Sequence, residues 1–167
     1  MIILSVLRHA KSSWDYPDLA DIDRPILNKG VKRTLLICNA LNDRKSLPNK
    51  VISSPAKRAI ETADIIIDKL NLPLQAPEIN VHFYPGYPKH IINELNKLNG
   101  DISHLMIVGH NPGLTELVYS FVKEDYIDWI PTSGLVQIQF NCERWSEIDY
   151  SNASLLRYLT PKQLKSK

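Results

Sequence analysis

Apolar residues fall into two kinds of run along this chain. Residues 2–7 (IILSVL) and 105–108 (LMIV) are nearly unbroken, which predicts strands of a parallel sheet covered on both faces. Residues 50–53 predict a further short strand, and residues 135–140 and 155–159 two later ones. Elsewhere the apolar positions recur at helical spacing. Val31, Leu35, Cys38 and Leu41 predict a helix capped by Asn28 and running to about residue 44. Ala59, Ile60, Ala63, Ile66, Ile67 and Leu70 predict a second, with Ser54 as N-cap and Pro55 at the first helical position. Ile91, Ile92, Leu95 and Leu98 predict a third, and residues 114–122 a fourth. Residues 11–27, with Pro17, Pro25 and four aspartates, hold no period and read as a loop; residues 72–88 read as a proline-rich connection.

Strands and helices in this alternation predict the α/β class. We expect a single-domain three-layer α/β/α sandwich with a mostly parallel central sheet over residues 1–160, and a frayed tail over 161–167.

Composition narrows the function classes. The 167 residues carry 20 Lys+Arg against 18 Asp+Glu, without the clustered basic excess of a nucleic-acid binder. The opening apolar run is short and has no basic segment before it, so it is read as neither a signal peptide nor a membrane span, and a cytoplasmic protein is expected. Cys38 and Cys142 lie in unrelated contexts and are read as packing residues. His82, His90 and His104 lack metal-ligand spacing and are taken as structural or exposed. Tyr126, Trp129 and Ile130, just before a predicted strand, are read as core, with a partner surface as the alternative.

In open α/β sheets, ligands sit beyond the carboxyl ends of the strands, and three such ends here carry unusual residues. Arg8-His9 follows the first strand, Arg58 lies just inside the helix after the second, and His110 follows the strand over 105–108. Lys57 and Arg58 oppose the dipole of the helix they begin. Two arginines, two histidines and a helix N-terminus at one sheet edge repel one another unless an anion joins them, and phosphate suits arginine forks and aligned N–H donors. A neutral imidazole beside a phosphoryl group is also a nucleophile toward phosphorus, so His9 is a candidate phosphohistidine.

Three motifs, LRHAKSSW (7–14), SSPAKRAIETA (53–63) and VGHNPGL (108–114), resemble the histidine phosphatase superfamily over about residues 1–160. The alanine after the motif histidine, DRPILNKG (23–30) and PTSG (131–134) resemble its short SixA-like phosphohistidine phosphatase branch. The resemblance implies a phosphoglycerate-mutase-like fold and a phosphatase that needs no metal or other cofactor, working through a phosphohistidine enzyme intermediate. By position it makes His9 the nucleophile, Arg8 and Arg58 the clamp on the phosphoryl oxygens, and His110 a further donor to them. Arg24 and Ser12 are weaker matches as substrate-binding residues, with Asp21 or Asp23 as the alternative partner of Arg24. The stretch HFYPGYP (82–88), where larger members carry a general acid, has no acid, which leaves Asp15 and Glu116 as the candidates.

The missing acid favours protein phosphohistidine, whose P–N bond breaks readily once its nitrogen is protonated, over alkyl esters. The expected partner is therefore a phosphorylated protein of the histidine-phosphotransfer type. A small phosphate ester, hence a small-molecule phosphomonoesterase, is the alternative, and an inactive phosphate-binding module the third reading. No nucleic-acid or membrane partner is expected. The short rim loops, 11–27 and 72–88, predict a shallow, open pocket.

Overall fold

The computed structural model describes residues 1–42 and 47–165. Six strands form one sheet: β1 (Ile2–Arg8), β2 (Lys50–Ser53), β3 (Glu78–Ile79), β4 (His104–Gly109), β5 (Leu135–Phe140) and β6 (Ala153–Leu159). Their order is β3-β2-β4-β1-β5-β6. The first four run parallel, whereas β5 is antiparallel to β1 and β6 to β5. The helices are α1 (Asn28–Asn42), α2 (Lys57–Lys69), α3 (Pro88–Leu95), α4 (Gly113–Val122) and α5 (Pro161–Lys165).

The unbroken apolar runs arise because both faces of the sheet are covered. Successive strand side chains point to opposite faces, so Leu4, Val6, Leu105, Ile107, Val136 and Ile138 pack with Ile91, Leu95, Leu117 and Phe121 of α3 and α4. Leu7, Met106, Val108 and Leu135 pack on the other face, with Ile37, Cys38 and Leu41 of α1 and Ala63 and Ile66 of α2. Two buried clusters, one on each face, make the three layers. Each fully buried Leu, Ile or Phe contributes about 1.5–3 kcal/mol, which sets the register of every strand.

Some boundaries differ from expectation. Asn28 is the first residue of α1 rather than a cap ahead of it, and residue 44 lies outside the described residues. The α2 N-cap is Ala56, not Ser54: the Ser54 hydroxyl accepts the Ala56 N–H, and the helix begins only at Lys57. The connection over 72–88 contains β3, whose two residues are too few to show a period. The tail does not fray over Pro161–Lys165: these residues form α5, and Leu164 packs against the α1–α2 cluster. Trp129 and Tyr126 are exposed, so the core reading fails for them, while Ile130 is fully buried. Both cysteines are free, and Cys38 is buried as expected. No helix among the described residues is long and apolar enough to cross a membrane.

Candidate active site

The parallel arrangement brings the carboxyl ends of β1, β2 and β4 to one edge of the sheet. Arg8 is the last residue of β1 and pairs across with Gly109, the last of β4. The chain then turns, with the His9 N–H donating to the Gly109 carbonyl (3.1 Å) and the Ala10 N–H to Thr62 Oγ1 of α2 (2.9 Å). Antiparallel β5 begins at the same edge, and the Ser133 N–H reaches back to the carbonyls of Arg8 (3.1 Å) and His9 (3.2 Å). The segment carrying the two leading residues is thus held by β4, α2 and the turn before β5.

A cavity of about 370 Å³ opens there, lined by Arg8, His9, Lys11, Ser12, Trp14, Arg24, Arg58, His110, Asn111 and Thr132. All six residues carried from the motifs, Arg8, His9, Ser12, Arg24, Arg58 and His110, line it. Four cations line the cavity and no carboxylate does. Asp15 and Glu116 are exposed and are not among the lining residues, so the structure places neither general-acid candidate at the cavity. Asp15 is in the loop after Ser13, whose hydroxyl accepts its N–H, and Glu116 is in the first turn of α4.

His9 Nδ1 is 2.8 Å from the Ala10 carbonyl oxygen. A carbonyl only accepts, so Nδ1 carries the proton and the lone pair sits on Nε2. Burial pushes the His9 pKa down to about 4; Arg58, Arg8 and Arg24 add to this, while the Ala10 carbonyl opposes it. The ring is therefore neutral at ordinary pH.

His110 has the opposite tautomer. Its Nδ1 is 3.4 Å from Arg58 Nη2, which can only donate, and its Nε2 is 2.7 Å from Ser54 Oγ, to which it donates. Burial, with His9 and Arg58 nearby, pushes its pKa down to about 3. The two rings lie 5.1 Å apart between centroids. In this pairing both His110 nitrogens are engaged, so the expected role of donor to a phosphoryl group requires protonation of Nδ1.

The arginines are fixed by a residue that lies outside the cavity lining. Asp21 accepts from Arg24 Nε (3.1 Å) through Oδ1, and from Arg58 Nη2 (3.0 Å) and the Tyr84 hydroxyl (2.7 Å) through Oδ2. Its backbone carbonyl accepts from Arg58 Nη1 (2.7 Å). The Tyr84 hydroxyl and Arg58 hold its carboxyl at about 2. Arg24 also donates to Ser12 Oγ (2.8 Å), and its guanidinium lies 3.6 Å from the centre of the exposed Trp14 ring. Arg8 donates to the Ile130 carbonyl (3.0 Å) beside the Trp129 ring. Its pKa is lowered by burial and by Arg58. Arg8 Nε and Arg58 Nε are buried without a partner, and an orphaned buried donor costs about 1–3 kcal/mol or more. A bound polyoxygen anion answers both the excess charge and the shortage of acceptors.

Tyr84 and Ser54 were missed in the sequence as parts of this site, and Asp21 was named only as an alternative partner of Arg24, the pairing the structure shows. Asp21 and Arg24 are i, i+3 neighbours, whereas no local signal links Tyr84 or Ser54 to them. Among the described residues no group of three or more His, Cys, Asp or Glu side chains is placed to hold a metal ion.

The fold and cavity are those of a phosphoryl-handling α/β enzyme, and comparison with known proteins agrees. Residues 4–79 match the histidine phosphatase superfamily (branch 1). The Escherichia coli phosphohistidine phosphatase SixA is 31% identical over 112 residues, 63% of this chain and 68% of the relative. An uncharacterized Mycobacterium tuberculosis protein is 27% identical over 166 residues, 93% of this chain and 100% of the relative. A solved structure of the protein histidine phosphatase SixA complexed with tungstate superposes with a TM-score of 0.81 at 22% identity, covering 98% of this chain and 99% of that one. The chain belongs to the histidine phosphatase superfamily and is a phosphatase.

Proposed function

We propose that the protein removes the phosphoryl group from phosphohistidine on another protein, without a metal, through a phosphohistidine formed on its own His9. The observation that carries this reading is the Ala10 carbonyl 2.8 Å from His9 Nδ1, which leaves an unprotonated Nε2 on a ring lining a cation-rich cavity. Arg8, Arg24, Arg58 and Ser12 hold the phosphoryl oxygens, and His9 Nε2 attacks phosphorus in line. The new P–N bond forms as the substrate's P–N bond breaks, and the arginines offset charge on the equatorial oxygens. Water then attacks the phosphoryl group on His9, releasing inorganic phosphate and returning the electron pair to Nε2.

The lack of a carboxylate in the lining supports a phosphoramidate substrate. An alkoxide leaving group needs a proton in the transition state, whereas a phosphoimidazole protonated on its other nitrogen leaves as neutral imidazole. The relative named for phosphohistidine agrees with this assignment. With four cations lining the cavity, charge neutralisation needs no magnesium.

The test is phosphate release from a phosphohistidine protein, from phosphoramidate and from p-nitrophenyl phosphate, in chelator, by the native enzyme and by His9→Ala. The expected result is a strong preference for phosphohistidine by the native enzyme and none released by His9→Ala. Faster release from the ester makes the enzyme a phosphomonoesterase. No release from any substrate by the native enzyme leaves a binding module, and activity in His9→Ala removes the covalent mechanism.

A further inference from the structure

A second concavity, of about 600 Å³, adjoins the phosphate cavity, and Thr132 lines both. Its wall is built by sequence spacing. Lys29, Lys32, Arg33 and Leu36 fall at i, i+3, i+4 and i+7 on α1 and so share one face of that helix. Lys162 and Lys165, three apart on α5, face them across a floor of Leu36, Pro131 and Pro161.

The charge is one-sided. Five of the chain's 20 Lys+Arg line this groove and no carboxylate does, although the whole chain is only +2. Lys29, Lys32, Arg33 and Lys165 make no ion pair among the described residues. Like charges gathered on one wall repel, so the groove favours an occupant of opposite sign. The α1 stripe spans seven helical steps, roughly 10 Å at about 1.5 Å per step, which matches about three residues of extended chain. The apolar floor gives such a segment something to lie on.

We propose that this groove docks a short acidic segment of the phosphorylated protein while the phosphohistidine enters the cavity next to it. This rests on the phosphoprotein reading above and extends it: the cavity recognises the phosphoryl group, and the groove recognises what carries it. Charge complementarity at such a rim acts through encounter and KM more than through the chemical step, and weakens with salt.

The experiment uses two phosphohistidine peptides, one flanked by four glutamates and one by four glutamines, with phosphoramidate as a substrate too small to reach the groove. The native enzyme is compared with Lys29→Glu/Lys32→Glu/Lys165→Glu. The expected result is about a tenfold preference of the native enzyme for the glutamate peptide, carried by KM and lost in the variant and at about 0.5 M salt. Phosphoramidate turnover stays equal in the two enzymes, which shows that the variant is folded. Equal kcat/KM for the two peptides in the native enzyme overturns the groove and leaves the phosphohistidine reading standing. Turnover of phosphoramidate but of neither peptide overturns that reading and the groove with it. Retention on phosphatidylserine vesicles through these lysines, without peptide discrimination, assigns the groove to a lipid surface and overturns the proposal.

Discussion

Arg58 is tied to Asp21 twice, through the carboxylate at 3.0 Å and through the backbone carbonyl at 2.7 Å. The same carboxylate holds Arg24, so one residue outside the cavity sets the direction of two guanidinium groups inside it. Asp21→Ala leaves both charges and the backbone tie to Arg58 in place but removes the carboxylate that orients the two guanidinium groups. Turnover of phosphohistidine falls about 10- to 100-fold, the scale on which small misplacements act. Inhibition by tungstate persists, because charge still attracts the oxyanion. Steady-state kinetics with a tungstate titration checks both; an unchanged kcat/KM removes the positioning role.

Acid protonates His9 later than the chemistry of imidazole alone implies. Burial and three arginines hold His9 near 4, where an unperturbed imidazole titrates at 6.5. Its neutral, attacking form therefore persists as pH falls through 6 and is lost only near 4. The substrate phosphoryl group has its own ionisation near pH 6, so the clean readout is the imidazole resonance of His9 in the free enzyme. Arg8→Gln removes a neighbouring cation and moves that titration upward; a native His9 titrating at 6.5 contradicts the electrostatic argument.

Two glycines hold the site together by what they lack. A Cβ on Gly30 meets the Lys11 carbonyl oxygen at 2.6 Å, and one on Gly113 meets the Gly86 carbonyl oxygen at 1.9 Å. Both obstacles are backbone, which cannot swing aside. Gly30→Ala and Gly113→Ala each lose about 1–3 kcal/mol or more in urea denaturation, the scale of overpacking. Gly30→Ala also loses activity at temperatures where it remains folded, because the displaced backbone lies two residues beyond His9. Full activity with native stability excludes this close packing.

His104 gives a pH dependence of stability separate from catalysis. It is buried at the start of β4, with Nε2 2.7 Å from Ser5 Oγ; the Ser5 hydroxyl accepts from Gln137. Burial, with Arg157 nearby, pushes its pKa down to about 4. Because the folded value lies below the unfolded one, the unfolded chain binds the proton first. Stability is therefore complete above about pH 6.5 and declines as pH falls toward 4. His9 and His110 share this sign, but a phosphate analogue in the cavity alters them and not His104. Urea midpoints between pH 4 and 7.5, with saturating tungstate, isolate its share; a flat profile contradicts it.

The sequence disclosed what burial imposes and little of what tertiary approach creates. Strands covered on both faces must be apolar throughout, and helix stripes must follow the 3.6-residue turn, so β1, β4, α2 and α4 were legible. Arg8, His9, Arg58 and His110 were legible because charge at a strand end contradicts its surroundings. Asp21 was named only as an alternative partner of Arg24, since it is one of four aspartates in an aperiodic loop; its hold on Arg58 and Tyr84 comes from residues 37 and 63 positions away. Ser54 reads as a helix cap because its local sequence is that of a cap, and its hydroxyl does accept the Ala56 N–H; that His110 meets the same hydroxyl is created by the fold alone. The tail reads as polar and loose because α5 offers one apolar residue, Leu164, to the core.

The pairing of β1 has a consequence for assembly. The first strand lies between β4 and β5, so its two neighbours are contributed by residues 104–109 and 135–140. His9 comes early in the chain while its supports, the Gly109 carbonyl and the Ser133 amide, come a hundred residues or more later. Closing loops of that length slows folding, and local helices form well before such contacts do. A nascent or refolding chain can therefore hold its helices and still lack a working His9, and recovery of phosphatase activity marks the insertion of the central strand.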